Sequence, residues 1–390
     1  MKLRKARRLE RIPPYLFMEL RNKISEARAA GMDVISLAIG DPVEPTPREI
    51  IDELCRAAHV PENHRYPTDE EKGMAPLRQE VCRWYAERYG VELDGETECL
   101  ILLGSKEGCH HFALGMVNPG DVVLVTDPGY PGYKPSIWLA DAEPYSVPIK
   151  AAGGFLPDLR AIPGDVAERA SAFYLNYPNN PTGAVATPSF LRELVSFAKE
   201  NSISICYDNP YIEIVFEDTR PLSILSLEGA KDVAVELNSF SKPFNMTGWR
   251  LGMAVGNPTA IAAMAQVKAN TDSGVFNAIQ YAGIEALRQC ATSIDEELRI
   301  YERRRRLVVD TLNELGWDYA PPKGTFYLWV PTPDGKNSVA FASEVFEKAR
   351  VVVAPGSAYG EYGEGYVRLS LTVPDDQLQE AMRRMRGALR

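Results

Sequence analysis

The chain has 390 residues, 45% of them apolar, which is enough to bury one large core or two smaller ones, and two domains are expected. Its 43 Lys and Arg against 53 Asp and Glu leave a net charge of −10, which argues against a general nucleic-acid surface and for a small-molecule partner. Asp, Glu or Arg interrupts every apolar run that could cross a bilayer, and none follows the basic start at residues 2–11 as in a signal peptide, so a soluble, cytoplasmic protein is expected.

The basic start reads as an ordered arm or a solvated helix face. The Ile12-Pro13-Pro14-Tyr15 opening and a helix over residues 20–30 are expected to pack on a second domain or on a partner subunit. From residue 99 onward, short β-patterned runs alternate with helical patterns. The runs are 99–104, 122–126, 143–149, 172–176, 203–208, 233–237 and 251–255. Seven strands separated by helices predict an α/β fold, a mostly parallel sheet sandwiched by helices. One such helix spans 188–201, with Leu191, Leu194, Val195 and Ala198 on its apolar face.

Beyond about residue 279 the pattern changes to long charged helices such as 293–315, with β-regions at 324–330 and 366–371. These divide the chain into an arm and part of a small domain (1–44), a large domain (45–278) and a small α+β domain (279–390). The six cysteines contain no Cys-x-x-Cys pair and read as buried free thiols. His59 with His64, and His110 with His111, lack the helical spacing of a zinc site, and no structural metal is expected.

In open α/β sheets the ligand lies outside the carboxyl ends of the strands, and the chemistry-bearing residues gather there. Gly104-Ser105-Lys106-Glu107-Gly108 joins a strand to a helix, where free N–H groups and the helix dipole favour a phosphate, although any helix start has that form. Asn176-Tyr177-Pro178-Asn179-Asn180-Pro181-Thr182-Gly183 is a stiff turn. Asp208 ends a strand, a position equally suited to a helix N-cap. Ser239-Phe240-Ser241-Lys242 ends the next strand, and Arg250 follows eight residues later. A lysine beside hydroxyls and an arginine suits a Schiff base next to a phosphate, provided that the site lowers its pKa from about 10.4. Arg368 lies in the apolar strand Tyr366-Val367-Arg368-Leu369-Ser370-Leu371 and there needs a carboxylate.

These ordered segments resemble pyridoxal phosphate-dependent aminotransferases of fold type I, class I/II, over nearly the whole chain. The resemblance implies that Lys242 binds the cofactor and moves a proton, that Asp208 faces the pyridine nitrogen, and that Tyr211 and Asn180 bond the ring O3′. It places Ser105, Lys106, Ser239, Ser241 and Arg250 around the phosphate and stacks Tyr130 on the ring. Arg368 and Gly40 would receive the substrate carboxylate, Tyr66 would cross a dimer interface to the partner's phosphate, and Tyr15 and Asn277 would line the substrate pocket.

The segments at 103–108, 176–184, 241–257 and 272–277 look most like LL-diaminopimelate aminotransferases and their alanine and aspartate relatives. The best single substrate guess is LL-diaminopimelate/tetrahydrodipicolinate with glutamate/2-oxoglutarate, in a homodimer. Alanine or aspartate transamination, a carbon–sulfur lyase and an amino-acid oxidase on the same fold are the alternatives. A cofactor-binding regulatory domain is disfavoured because DNA-binding helices are missing. Residues 68–72 lengthen the Tyr66-to-Gly73 segment, Pro210 replaces a more usual small residue, and no second arginine appears at 272–277 of the type that dicarboxylate-specific enzymes use. Lys106 is the candidate for a distal carboxylate. No Gly-x-Gly-x-x-Gly turn or Walker loop supports a nucleotide site.

Overall fold

β-Branched runs between amphipathic helices build one seven-stranded sheet in the middle of the chain. A computed structural model describes residues 3–13, 16–67, 69 and 71–389. Its strands are β1 (Ile35–Ser36), β2 (Cys99–Leu102), β3 (Val122–Asp127), β4 (Glu143–Pro148), β5 (Ala170–Asn176), β6 (Ser204–Asp208), β7 (Ala234–Ser239), β8 (Gly252–Gly256), β9 (Tyr327–Pro331), β10 (Val351–Val352), β11 (Ala354–Pro355) and β12 (Tyr366–Ser370). The helices are α1 (Leu16–Ala29), α2 (Arg48–Ala58), α3 (Ala75–Tyr89), α4 (Ser105–Met116), α5 (Tyr133–Leu139), α6 (Gly164–Arg169), α7 (Pro188–Glu200), α8 (Pro258–Ala269), α9 (Asn277–Gln289), α10 (Ala291–Glu314), α11 (Ser338–Ala349) and α12 (Asp375–Ala388).

The large sheet has the order β2-β8-β7-β6-β5-β3-β4, with all seven strands where the sequence places them. Only β8 runs against its neighbours, so β2, β3, β5, β6 and β7 deliver their carboxyl ends to one edge. Side-chain alternation splits the core between the two faces. Leu124, Phe173 and Ile205 pack on one side, and Val123, Val125, Tyr174 and Cys206 on the other. Helix α7 starts at Pro188, where Thr187 Oγ1 accepts the Phe190 N–H at 3.2 Å. It buries Leu191, Leu194, Val195 and Ala198 as predicted. It ends at Glu200, as Ser202 takes a left-handed φ of 57°.

A smaller sheet, β11-β12-β9, is antiparallel throughout, and β1 pairs in parallel with β10. Ile35, Leu37, Val308, Leu312, Leu328, Val367 and Leu378 form its core with α10 and α12. Tyr211, Ile214 and Phe216 join that core from the middle of the chain, across the predicted domain boundaries. The basic start is an ordered arm, one of the two readings of its sequence. Arg8 Nη1 donates to Leu139 O at 3.2 Å and Arg11 Nη2 to Glu143 Oε2 at 2.7 Å, so residues 7–11 lie on the α5–β4 edge of the large sheet. Their charge decides this, because Asp141 and Glu143 make that edge acidic. Among the described residues, no helix is long and apolar enough to cross a membrane.

Candidate active site

The shared carboxyl edge of the large sheet opens into a cavity of about 340 Å³. Ser105 follows β2 and Tyr130 follows β3; Asn176 ends β5 with Asn180 beyond it, Asp208 ends β6 with Tyr211 beyond it, and Ser239 ends β7 with Ser241 and Lys242 beyond it. Gly40 and Asp41, from the turn after β1, and Tyr327 of β9 close it from the smaller sheet. Helix α1 overhangs it with Met18 and Arg21.

Lys242 reaches across this space, its Nζ donating to Gly40 O at 3.3 Å and standing 5.4 Å from the Phe326 ring centre. Burial lowers its pKa to about 8, with Arg250 and Arg368 adding to the fall and Asp41 opposing it. Gly40 leaves room for Tyr327, because an added Cβ would collide with the Tyr327 hydroxyl unless that side chain moved.

Asp208 lies on the cavity floor. Its Oδ2 accepts the Tyr133 hydroxyl at 2.7 Å, while the buried Oδ1 has no hydrogen-bond partner. Burial raises its carboxyl to about 7 against the lowering effect of the Tyr133 and Ser105 hydroxyls. An unpaired buried acceptor is costly, so this geometry calls for a donor brought by a ligand.

The stiff turn after β5 is held from within: Asn179 Oδ1 accepts the Thr182 N–H at 3.0 Å and its hydroxyl at 2.7 Å. Asn180 N donates to Asn176 Oδ1 at 2.6 Å. Arg368, fully buried in β12, donates from Nη1 to Asn180 Oδ1 and from Nη2 to Ala38 O, both at 2.7 Å. Its guanidinium lies 3.8 Å from the Tyr327 ring centre and 4.9 Å from that of Tyr359. Tyr211 and Tyr327 join their hydroxyls at 3.3 Å.

At the start of α4, Gly104 has φ +88°, and a Cβ there would meet Arg250 Nη2 at 2.2 Å. Arg250 is itself left-handed, at φ 57°, and donates from Nη1 to Thr247 O at 2.9 Å and from Nη2 to Leu103 O at 3.2 Å. The first amides of α4 have no intrahelical acceptor, and with Arg250 nearby this end of the helix is suited to an anion. Ser241 N donates to Ser239 Oγ at 3.1 Å, folding the second serine into the same cavity.

Tyr66, Asn277 and the fully buried Arg368 are not among the residues that line this cavity. Tyr66 is 75% exposed and outside this cavity. Asn277, at the start of α9, is 9% exposed, and its Nδ2 donates to Arg65 O at 3.4 Å. Tyr15 lies outside the described residues. Sequence reasoning missed Tyr133, Tyr327, Asp41, Met18 and Arg21. Tyr327 sits in a predicted β-region and Tyr133 three residues after Tyr130, but nothing local marks either as polar-site residues.

The family model for aminotransferase class I and II matches residues 32–385. This chain belongs to that family. As class I and II aminotransferases are, it is a pyridoxal phosphate-dependent enzyme that moves an amino group between an amino acid and a 2-oxo acid. It is 51% identical over 387 residues, 99% of each chain, to the LL-diaminopimelate aminotransferase of Moorella thermoacetica, and 50% identical to that of Desulforudis audaxviator over 98% of this chain and 97% of the relative. Among solved structures, substrate-bound BacF from Bacillus subtilis matches with TM-score 0.95 and 36% identity over 99% of this chain and 98% of that one. A Thermus thermophilus aspartate aminotransferase mutant matches with TM-score 0.92 and 28% identity over all of both chains. The residues present in this aminotransferase fit its cofactor: an orphan carboxylate oxygen for a ring N–H, an amine of lowered pKa, and an anion cup that a Cβ at Gly104 would fill.

Proposed function

We propose that this aminotransferase interconverts LL-diaminopimelate and tetrahydrodipicolinate, with glutamate and 2-oxoglutarate as the other pair. The full-length similarity to LL-diaminopimelate aminotransferases, about half of all residues, carries this reading. Two exposed cations, Lys106 and Arg21, line the cavity besides Arg250, and they suit a substrate with a second carboxylate.

When bound, pyridoxal phosphate supplies an electron-withdrawing ring that acidifies the Cα–H of an attached amino acid. In this reading Lys242 Nζ anchors the cofactor and then carries the Cα proton, a task suited to an amine with a pKa of about 8. Asp208 Oδ1 accepts the ring N–H, and its negative charge keeps that proton in place. Asn180 and Tyr211 face the ring oxygen, and Tyr130 covers the ring. Ser105, the Lys106 amide, Ser239, Ser241 and Arg250 would hold the cofactor phosphate. Arg368 and Gly40 receive the substrate carboxylate, with Asn180 oriented by the same guanidinium.

The unit is a cytoplasmic homodimer built from an arm and part of a small domain (1–44), a large domain (45–278) and a small domain (279–390). The exposed Tyr66, with Phe276 40% exposed nearby in sequence to Asn277, supports a partner surface where these residues complete the second site. The test mixes the holoenzyme with single amino acids and no acceptor, and follows loss of the visible cofactor band. Conversion by glutamate and by LL-diaminopimelate is expected. Conversion by glutamate with alanine or aspartate in place of LL-diaminopimelate refutes the substrate pair. Pyruvate and ammonia from cysteine-like compounds would identify a lyase.

A further inference from the structure

Behind the phosphate cup, and outside the cavity, lies a charged cluster that the reaction does not use. Lys268 of α8 is fully buried, and its Nζ donates to Glu107 Oε1 at 3.1 Å and to Asp272 Oδ1 and Oδ2 at 2.9 and 3.0 Å. His111 stands one helical turn beyond Glu107, its Nε2 3.7 Å from Oε1. Glu107, His111 and Asp272 bring ligand atoms together in the manner of a metal site, but the ammonium already fills the place of the cation. Burial keeps His111 neutral near pH 7, with a pKa of about 4, so Lys268 is the cation that compensates the two carboxylates.

The cluster reaches the cup through the backbone of one residue, Leu103. Glu107 Oε2 accepts the Leu103 N–H at 2.5 Å, and the carbonyl of the same residue accepts Arg250 Nη2 at 3.2 Å. Leu103 is thus gripped on its N–H by Glu107 and on its C=O by Arg250, immediately before the Gly104 turn. On the other side, Asp272 Oδ1 accepts the Gly274 N–H at 2.6 Å and fixes the loop that leads to α9. Close helix packing sets the span: a Cβ at Gly115 of α4 would come within 3.1 Å of the Ala263 backbone of α8.

The geometry points to Lys268 as a positioning residue for the cofactor phosphate, acting through Glu107 and the Leu103 backbone on the Gly104 turn and on Arg250. Without the ammonium, Glu107, whose carboxyl burial and Asp272 already raise to about 7, is driven to protonate fully or to turn away from Asp272. Either change loosens its grip on the Leu103 N–H. It also leaves uncompensated negative charge behind a site that must hold a phosphate dianion. This inference rests on the assignment of the Gly104 turn to the phosphate.

The test compares apoenzyme affinity for pyridoxal phosphate with that for pyridoxal, which lacks the phosphate, in wild type, Lys268→Met and Glu107→Ala. Glu107→Gln keeps an acceptor for the Leu103 N–H and guards against failure of the other variants to fold. Wild type should prefer the phosphorylated cofactor strongly. Lys268→Met and Glu107→Ala should lose at least tenfold of that preference with pyridoxal affinity within about twofold, and Glu107→Gln should lose less than Glu107→Ala. Equal losses for both cofactors, or an unchanged ratio with a lowered melting temperature, would show a merely structural cluster and overturn the inference. Absence of any phosphate preference in wild type would instead overturn the assignment of the turn.

Discussion

The amine of Lys242 should titrate more than two units below an ordinary lysine, and the shift is measurable without the cofactor. Burial lowers its pKa to about 8, with Arg250 and Arg368 contributing, against a starting value of 10.5. At pH 7 such an amine is about 9% uncharged, whereas an unperturbed lysine is only about 0.03% uncharged, a difference of roughly 300-fold. The apoenzyme is therefore expected to capture a small aldehyde without titratable groups through Lys242 at a rate that follows the uncharged fraction. Reductive trapping and peptide mass would quantify the modified lysine. Between pH 7 and 9 the rate should rise about tenfold and then level, where an unperturbed amine would give about 100-fold and keep rising. Asp41→Asn removes a negative charge that helps to hold the proton on, so its break should fall at lower pH than wild type. A rate still climbing steeply at pH 10 in wild type would refute the desolvated-amine account.

Two further outcomes follow from single residues. Gly104→Ala adds a Cβ at 2.2 Å from Arg250 Nη2 on a backbone with φ +88°, so the apoenzyme should bind pyridoxal phosphate at least about tenfold more weakly by fluorescence titration; an unchanged Kd would contradict the cup. Arg21→Ala should lower kcat/KM for glutamate and LL-diaminopimelate by about tenfold while leaving alanine within about twofold, the size of one solvent-accessible charge-assisted contact; equal losses on all three would remove Arg21 from substrate selection.

The seven strands of the large sheet were legible because each is a short β-patterned run bounded by helix signals. The site was legible because its residues fall at the ends of those strands, as Lys242 does just after β7 and Asp208 as the last residue of β6. Residues that enter from other elements were not. Tyr327 touches Gly40, Tyr211 and Arg368, but its strand reads as core, and two of its three neighbours are more than 100 residues away. Arg21 belongs to a charged helix whose cavity-facing side no local pattern marks. The course of the basic arm depended on acidic residues at 141 and 143, a long-range pairing that charge runs alone do not reveal.

Perturbed acidity by itself does not single out the chemistry of this fold. Three carboxyls, Asp208, Glu107 and Glu236, are each raised to about 7, and burial is the largest cause in all of them. Glu236 lies in β7, the strand that leads to Lys242, yet its oxygens are fully engaged. Oε1 accepts the Tyr85 hydroxyl at 2.9 Å, and Oε2 accepts Ser223 Oγ at 2.9 Å and the Ile224 N–H at 3.0 Å. Glu107 is likewise spent on Lys268 and the Leu103 N–H. Among the described residues, only Asp208 combines the raised acidity with an oxygen that has no partner and a place in the cavity wall. The unpaired acceptor, rather than the shift, separates the carboxylate poised for a ligand from two that hold the scaffold around it.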